Sequence, residues 1–166
     1  MMMKCTECGV RLVRRTATRE RPFHFTFSGL PNVYLVGVEI HQCPNGHGES
    51  PVIPRMGSLV STIAGWVIAK PTLLTGAEIR YLRKWAGMEA QEFAARLGVT
   101  KTWFSHIENG RRRMSVATDK LVRVIAAVVR SEADAVRQVA LSVAGNEKAA
   151  EQVTLQPTAR GWKAAA

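Results

Sequence analysis

The sequence predicts an α+β chain, with a small β unit at the N-terminus followed by an all-helical remainder. Three observations predict it. Up to residue 54 the apolar residues come in short runs, rich in β-branched or aromatic side chains and broken by turn residues. From Met56 onward they recur at three- and four-residue spacing between Ser or Thr starts and Gly stops. Charge also divides the chain. Residues 1–55 carry 7 Lys or Arg against 4 Asp or Glu, residues 56–130 carry 12 against 5, and residues 131–166 balance at 4 and 4. A basic excess confined to the middle of a 166-residue chain is the footprint of a polyanion partner.

Strands are expected over Val10–Val13, Pro22–Phe27 and Val33–Ile40, with Ser28–Asn32 as a turn between the last two. Pro51 and Pro54 mark a boundary. One helix is expected over Met56–Ala69, ended by Lys70 and Pro71, with a flexible connection around Lys70–Leu74. Thr75 and Glu78 form a capping box that opens a helix through Ala86, stopped at Gly87. Further helices are expected at about 89–97, 100–108 and 116–130, with Thr100 and Ser115 as N-caps and Gly98 and Asn109–Gly110 as stops. Leu121, Val124, Ile125, Val128 and Val129 form the apolar stripe of the last one. Ser131 caps a further helix over Glu132–Val143, and residues 146–166, lacking periodicity, are expected to be mostly disordered. The resulting division is 1–54, a helix and linker over 55–74, a second domain over 75–130, and a helix and tail over 131–166.

A β unit of this size has a small core and needs a staple. Cys5 and Cys8 are separated by two residues, and Cys43 and His47 by three. Two close pairs, each in a Gly-containing turn, are the ligand pattern of a zinc ribbon, and Cys3His suits one tetrahedral structural Zn2+. His41 and His24 are rivals for the fourth position. A Cys5–Cys8 redox pair is the weaker reading, because no βαβ pattern surrounds it. Four filled positions and no Glu placed as a base make the site structural rather than catalytic. Three cysteines, no apolar core of signal-peptide length and no apolar run long enough for a bilayer lead to an expectation of a soluble, cytoplasmic protein without a membrane partner.

The stretch Gln91–Gly110 reads as two short amphipathic helices joined by a Gly turn. Phe93, Ala94, Leu97, Val99, Phe104 and Ile107 have the spacing of one shared core. Lys101, Thr102, Ser105 and His106 then point outward from the second helix, as side chains that reach base edges in a major groove do. Gln91 and Thr100 lie at the two helix starts, and Trp103 either packs on the 116–130 helix or lies on the DNA. Arg111, Arg112 and Arg113 follow as phosphate contacts, while Glu108 is expected to pair with Arg112 or Lys120.

Residues 75–130 resemble the Cro-like (XRE) helix-turn-helix family through Phe93–Thr100 and Ser105–Arg112. That family usually has Gln where Ala90 stands; here Gln91 is one step later. The whole arrangement resembles MqsA-like antitoxins with a YgiT-type zinc finger. Cys5 and Cys8, Phe25–Gly29 and Cys43–Glu49 carry the likeness, with Gly46 where the family places its last Cys. The resemblance implies a homodimer formed through the helical domain, a palindromic double-stranded DNA operator, and a cognate RNA-cleaving toxin held by the zinc domain. The expected function is therefore an autoregulating repressor and antitoxin of a type II toxin–antitoxin system. The alternative is a solo XRE-family zinc-containing regulator without a toxin. An RNA-binding ribbon using Arg11, Arg14 and Arg15 is a further rival. An enzyme is not expected, because no nucleophile–base pair, phosphate loop or carboxylate pair stands out.

Overall fold

The computed structural model describes residues 3–130 and 152–165, and its layout is α+β. Strands β1 (Val13–Thr16), β2 (Phe23–His24), β3 (Val33–Leu35), β4 (Glu39–Gln42) and β5 (Glu49–Val52) come first. Helices α1 (Met56–Ala69), α2 (Gly76–Trp85), α3 (Ala90–Leu97), α4 (Lys101–Glu108) and α5 (Val116–Val129) follow. Two more strands, β6 (Val153–Thr158) and β7 (Gly161–Ala164), come after them. The expected helix Glu132–Val143 lies outside the described residues.

The chain separates into two compact units. The first comprises residues 1–26, 31–59 and 151–166; the second comprises 27–30 and 60–150. In the first, an antiparallel sheet has the order β1-β4-β5, and a mixed sheet has the order β2-β3-β6-β7. Strand β6 runs parallel to β3, with Val33 opposite Val153 and Leu35 opposite Leu155. Leu35, Val153 and Leu155 are buried, and the buried Trp162 of β7 donates its indole N–H to Pro54 O at 3.2 Å. Ordered strands thus stand at 153–164, where disorder is expected from the sequence. Short alternating runs such as Val153–Leu155 carry little signal until a partner strand buries one face.

The expected strand Val33–Ile40 is two strands in two different sheets. Gly37 separates them with φ +73°, a conformation that a side chain at this position would strain. Its amide bonds Ala17 O, while the Val36 amide bonds Leu155 O, so the ladder partners change at this residue. The expected strand Pro22–Phe27 shortens to β2 because Thr26–Ser28 forms a 3-10 turn. The first expected strand also moves, from Val10–Val13 to Val13–Thr16.

In the second unit, the capping box forms as the sequence requires. The Glu78 amide donates to Thr75 Oγ1 at 3.3 Å, and the Thr75 amide donates to Glu78 Oε2 at 2.7 Å. Phe93 and Phe104 are fully buried, with ring centroids 5.4 Å apart, and join α3 to α4. Gly76, at the start of α2, lies so close to α4 that a Cβ would stand 2.5 Å from Glu108 O.

Two expectations are overturned within this unit. The segment Lys70–Leu74 is pinned rather than flexible. Arg123, fully buried on α5, donates to Ile68 O, Lys70 O and Thr72 O. Its partner Asp119 accepts from the Leu74 amide at 2.7 Å, and Lys70 Nζ reaches Glu78 at 2.9 Å. These bonds satisfy the carbonyls that the end of α1 leaves open. The buried face of α5 is also another one, formed by Asp119, Val122, Arg123, Ala126 and Ala127. The stripe read from the sequence faces outward, with Leu121 42%, Val128 59% and Val129 41% exposed. Helix α5 has two faces with apolar residues, and the Arg123–Asp119 bonds select the one that packs.

Candidate metal centre and nucleic-acid interface

Two turns carry the candidate metal ligands. The Cys5 amide bonds Val10 O and the Gly9 amide bonds Cys5 O, which closes the first turn. The Cys43 amide bonds Gly48 O and the Gly46 amide bonds Cys43 O, which closes the second. The ligand atoms of Cys5, Cys8, Cys43 and His47 all lie within 4.8 Å of one another. Cys8 Sγ and Cys43 Sγ are 3.6 Å apart, and His47 Nδ1 is 3.7 Å from Cys5 Sγ and 3.8 Å from Cys43 Sγ. A tetrahedron with metal–sulfur bonds of about 2.3 Å and metal–nitrogen bonds of about 2.0 Å has edges of roughly 3.5 to 3.8 Å. Three of the edges therefore fit a zinc-sized ion, and the donor set is one a borderline-soft cation takes. His41 and His24 stand outside the cluster. His41 Nε2 pairs with Glu39 at 2.7 Å, and His24 bonds Pro31 O and stacks on Tyr34 at 4.7 Å.

The surrounding dipoles favour thiolate at two of the cysteines. Backbone amides of Cys8 and then Glu7 hold the Cys5 thiol below its ordinary value. Burial raises Cys43, but the amides of His47 and Asn45 together with hydrogen bonds from the Cys8 and Cys5 thiols outweigh it, and the net shift is downward. At Cys8 the Val10 amide lowers the value, yet burial and the neighbouring thiols of Cys43 and Cys5 leave it raised. A bound cation would remove that last penalty by taking all three as thiolates. Asn45 Nδ2 lies 3.6 Å from Cys8 Sγ and was not singled out from the sequence. Its position inside the second ligand turn was the available signal, since thiolates at metal sites take outer donors.

The second candidate site lies on α3, α4 and the loop after them. Phe104, Ile107 and Glu108 turn one side of α4 inward. On the opposite side Lys101, Thr102 and His106 are exposed and Ser105 is half-buried. Gln91 is exposed in the first turn of α3, and Arg111, Arg112 and Arg113 are exposed beyond α4. Thr100 Oγ1 accepts from the Trp103 amide at 3.1 Å, so this hydroxyl caps the helix. Trp103 itself is half-buried. Asn109 Nδ2 bonds both Ser105 O and Ser105 Oγ, which ties that hydroxyl to the end of the helix.

Glu108 pairs with neither Arg112 nor Lys120. Arg83 Nε holds it at 2.7 Å, and Arg80 reaches it at 4.0 Å. Arg80 also donates to Glu108 O and Asn109 Oδ1, so two arginines of α2 fix the turn that leaves α4. Sequence spacing offers no signal for this contact, because it joins residues 25 and more positions apart. Its result is electrostatic: the one carboxylate of α4 is neutralised inside the unit, and the outer side of the helix keeps its positive charge.

Residues 75–138 match a family model described as a helix-turn-helix domain. No curated protein and no solved structure matches the chain. The match and the geometry of α3 and α4 support a helix-turn-helix of the XRE-like kind in this region, and with it a DNA-binding regulator. Among the described residues, no helix is long and apolar enough to cross a membrane.

Proposed function

We propose that this chain is a zinc-stapled transcriptional repressor that doubles as the antitoxin of a type II pair. It would bind a palindromic operator in its own promoter and neutralise an RNA-cleaving toxin through its first unit. The observation that carries the DNA half is the outer side of α4, where Lys101, Thr102, Ser105 and His106 stand beside the exposed run Arg111–Arg113. Lys101 donates to guanine O6 or N7, Thr102 and Ser105 read neighbouring edges, and the arginines hold phosphates. The same arrangement supports a non-enzymatic protein, in which the Cys3His cluster leaves no open position for substrate. The exposed stripe of Leu121, Val128 and Val129 on α5 supports a homodimer through the helical unit, and a dimer matches a palindrome.

The antitoxin half rests on the resemblance of the two cysteine turns and of Phe25–Gly29 to YgiT-type zinc fingers. Its alternative is a solo XRE-family regulator with the same DNA chemistry. Two experiments test the proposal: the first tests the DNA half, and the second separates the two readings. The first titrates a fluorescent duplex of the gene's own promoter at several salt concentrations. Lys101→Ala should lose about 1–3 kcal/mol of discrimination between operator and scrambled duplex. Arg112→Ala should weaken both about equally and flatten the salt slope by about 0.9. Parental behaviour in both variants would remove α4 as the reading helix. The second expresses the adjacent small open reading frame with and without this chain. Growth arrest relieved by the chain supports the antitoxin, and arrest without relief leaves the solo regulator.

A further inference from the structure

A serine hydroxyl can give one hydrogen bond and take two, so a base edge of either kind could suit Ser105. The hydrogen bonds at the end of α4 decide between them. Arg80 Nη2, a group that only donates, bonds Asn109 Oδ1 at 2.7 Å. Ser105 O, which only accepts, takes Asn109 Nδ2 at 2.8 Å. These two bonds fix which side of the Asn109 amide carries the oxygen, because the flipped amide would set donor against donor and acceptor against acceptor. The amide nitrogen therefore stands as a donor, 3.3 Å from Ser105 Oγ. Arg80 is itself held, since its Nη2 also donates to Glu108 O at 3.1 Å and its Nε lies 4.0 Å from Glu108 Oε2. Glu108 is buried and kept in place by Arg83 at 2.7 Å. An anchored chain of bonds thus runs from a buried ion pair, through Arg80 and Asn109, to the hydroxyl of Ser105.

We propose that Arg80 and Asn109 are positioning residues that make Ser105 a hydrogen-bond donor to the base edge it meets. Ser105 then prefers a major-groove acceptor, which is N7 or O6 of guanine, N7 of adenine or O4 of thymine, over the amino groups of adenine and cytosine. The inference rests on the reading of α4 as the base-contacting helix. Its cause lies in the hydroxyl. The Asn109 N–H occupies one lone pair of Ser105 Oγ, and the hydroxyl hydrogen, repelled by that N–H, turns away from it. An oxygen that accepts one bond also gives a stronger one. An amino group placed opposite would leave that hydrogen without an acceptor in a closed interface, which costs more than the bond it gains.

The test uses the full chain and the duplex it selects from a random pool. A position read by Ser105 is one where a base change costs the parent affinity and costs Ser105→Ala none. There, the acceptor is removed with 7-deazapurine for N7, 2-aminopurine for guanine O6 or 5-methyl-2-pyrimidinone for thymine O4. The amino group is removed with unsubstituted purine for adenine or 2-pyrimidinone for cytosine. Each change is divided by the same change in Ser105→Ala, which cancels any effect on base pairing. Removing the acceptor should weaken the parent about fivefold, the worth of one net hydrogen bond, and removing the amino group should cost nothing.

Asn109→Ala and Arg80→Lys test the positioning. Lysine keeps the charge but has no planar fork with which to serve Glu108 and Asn109 together. Both variants should shrink the preference at that position to about twofold, leaving other positions and the salt slope as they were. In the Ser105→Ala background neither should change base preference any further, because the hydroxyl they act through is gone. An equal loss at every position, or the same loss without the hydroxyl, would show a merely structural role and overturn the proposal. Should the Asn109 and Arg80 variants not fold, the analogue comparison decides alone: a cost on removing the amino group and none on removing the acceptor makes Ser105 an acceptor and sinks the idea. A selected duplex with no position that depends on Ser105 refutes this proposal and spares the reading of α4. A pool that yields no preferred duplex refutes the reading of α4, and the proposal falls with it.

Discussion

In the first unit, the four clustered ligand side chains sit on two turns where His47 and most neighbouring residues are exposed. In the second, three ion pairs, Lys70–Glu78, Arg83–Glu108 and Arg123–Asp119, sit with side chains no more than a tenth exposed. Both units place charge or polarisable donors where the fold needs a cross-link. They differ in what completes the cross-link. The β unit leaves three thiols and an imidazole convergent, an arrangement that a bound cation would close. The helical unit supplies both signs itself and ties them further to backbone carbonyls. With a cation held there, one unit's stability would follow metal activity, while the other's rests on its own ion pairs.

Metal removal is the sharpest way to break that contrast. Structural zinc contributes on the order of 10 kcal/mol to small metal-bound folds. Chelation, or Cys43→Ser, should erase the dispersed amide resonances of the β unit and leave those of α2–α5 in place. Simultaneous loss of both sets would show that the helical unit borrows its stability from the metal. Next in size is Arg123→Met. It strips the charge from a fully buried pair and leaves Asp119 and three carbonyls without their donor. The expected cost is about 3–5 kcal/mol, read from guanidinium unfolding of the helical unit at saturating zinc. A cost below about 1 kcal/mol would mean that water takes over these bonds and that the segment 70–74 is looser than its contacts imply. Smallest is Gly76→Ala, where a methyl group meets Glu108 O at 2.5 Å. Overpacking of this kind costs about 1–3 kcal/mol, and the same titration should register it without any change in the metal-dependent resonances.

The helices are legible in the sequence because their signals are local. Thr75, Thr100 and Ser115 each accept an amide three residues on, and Gly98 at φ +71° ends α3 within its own turn. The metal turns are legible for the same reason, since ligand spacing two and three residues apart survives without knowledge of the rest of the chain. What depends on distant partners is not legible. Strand β6 owes its order to β3, and Gly37 can be recognised as a break only once the two sheets it feeds are known. The direction of α5 is a third case. Its more apolar stripe reads as the core face, yet Arg123 and Asp119 go inward because the carbonyls of residues 68, 70 and 72 await a donor there. Polar demand from another segment outweighs hydrophobic pattern, and no window over α5 contains that demand.

The parallel pairing of β3 with β6 has a bearing on how the protein is made. As the chain leaves the ribosome, Val33–Leu35 emerges more than a hundred residues ahead of the strand that will lie beside it. Helices α2–α5 rely on contacts nearer in sequence and can form first. For that interval, one side of β3 is an unclaimed backbone edge, the kind that recruits stray strands. Nascent β unit and finished helical unit would coexist on the same polysome, and the vulnerable moment of this protein's life lasts until Val153–Thr158 has left the ribosome and paired.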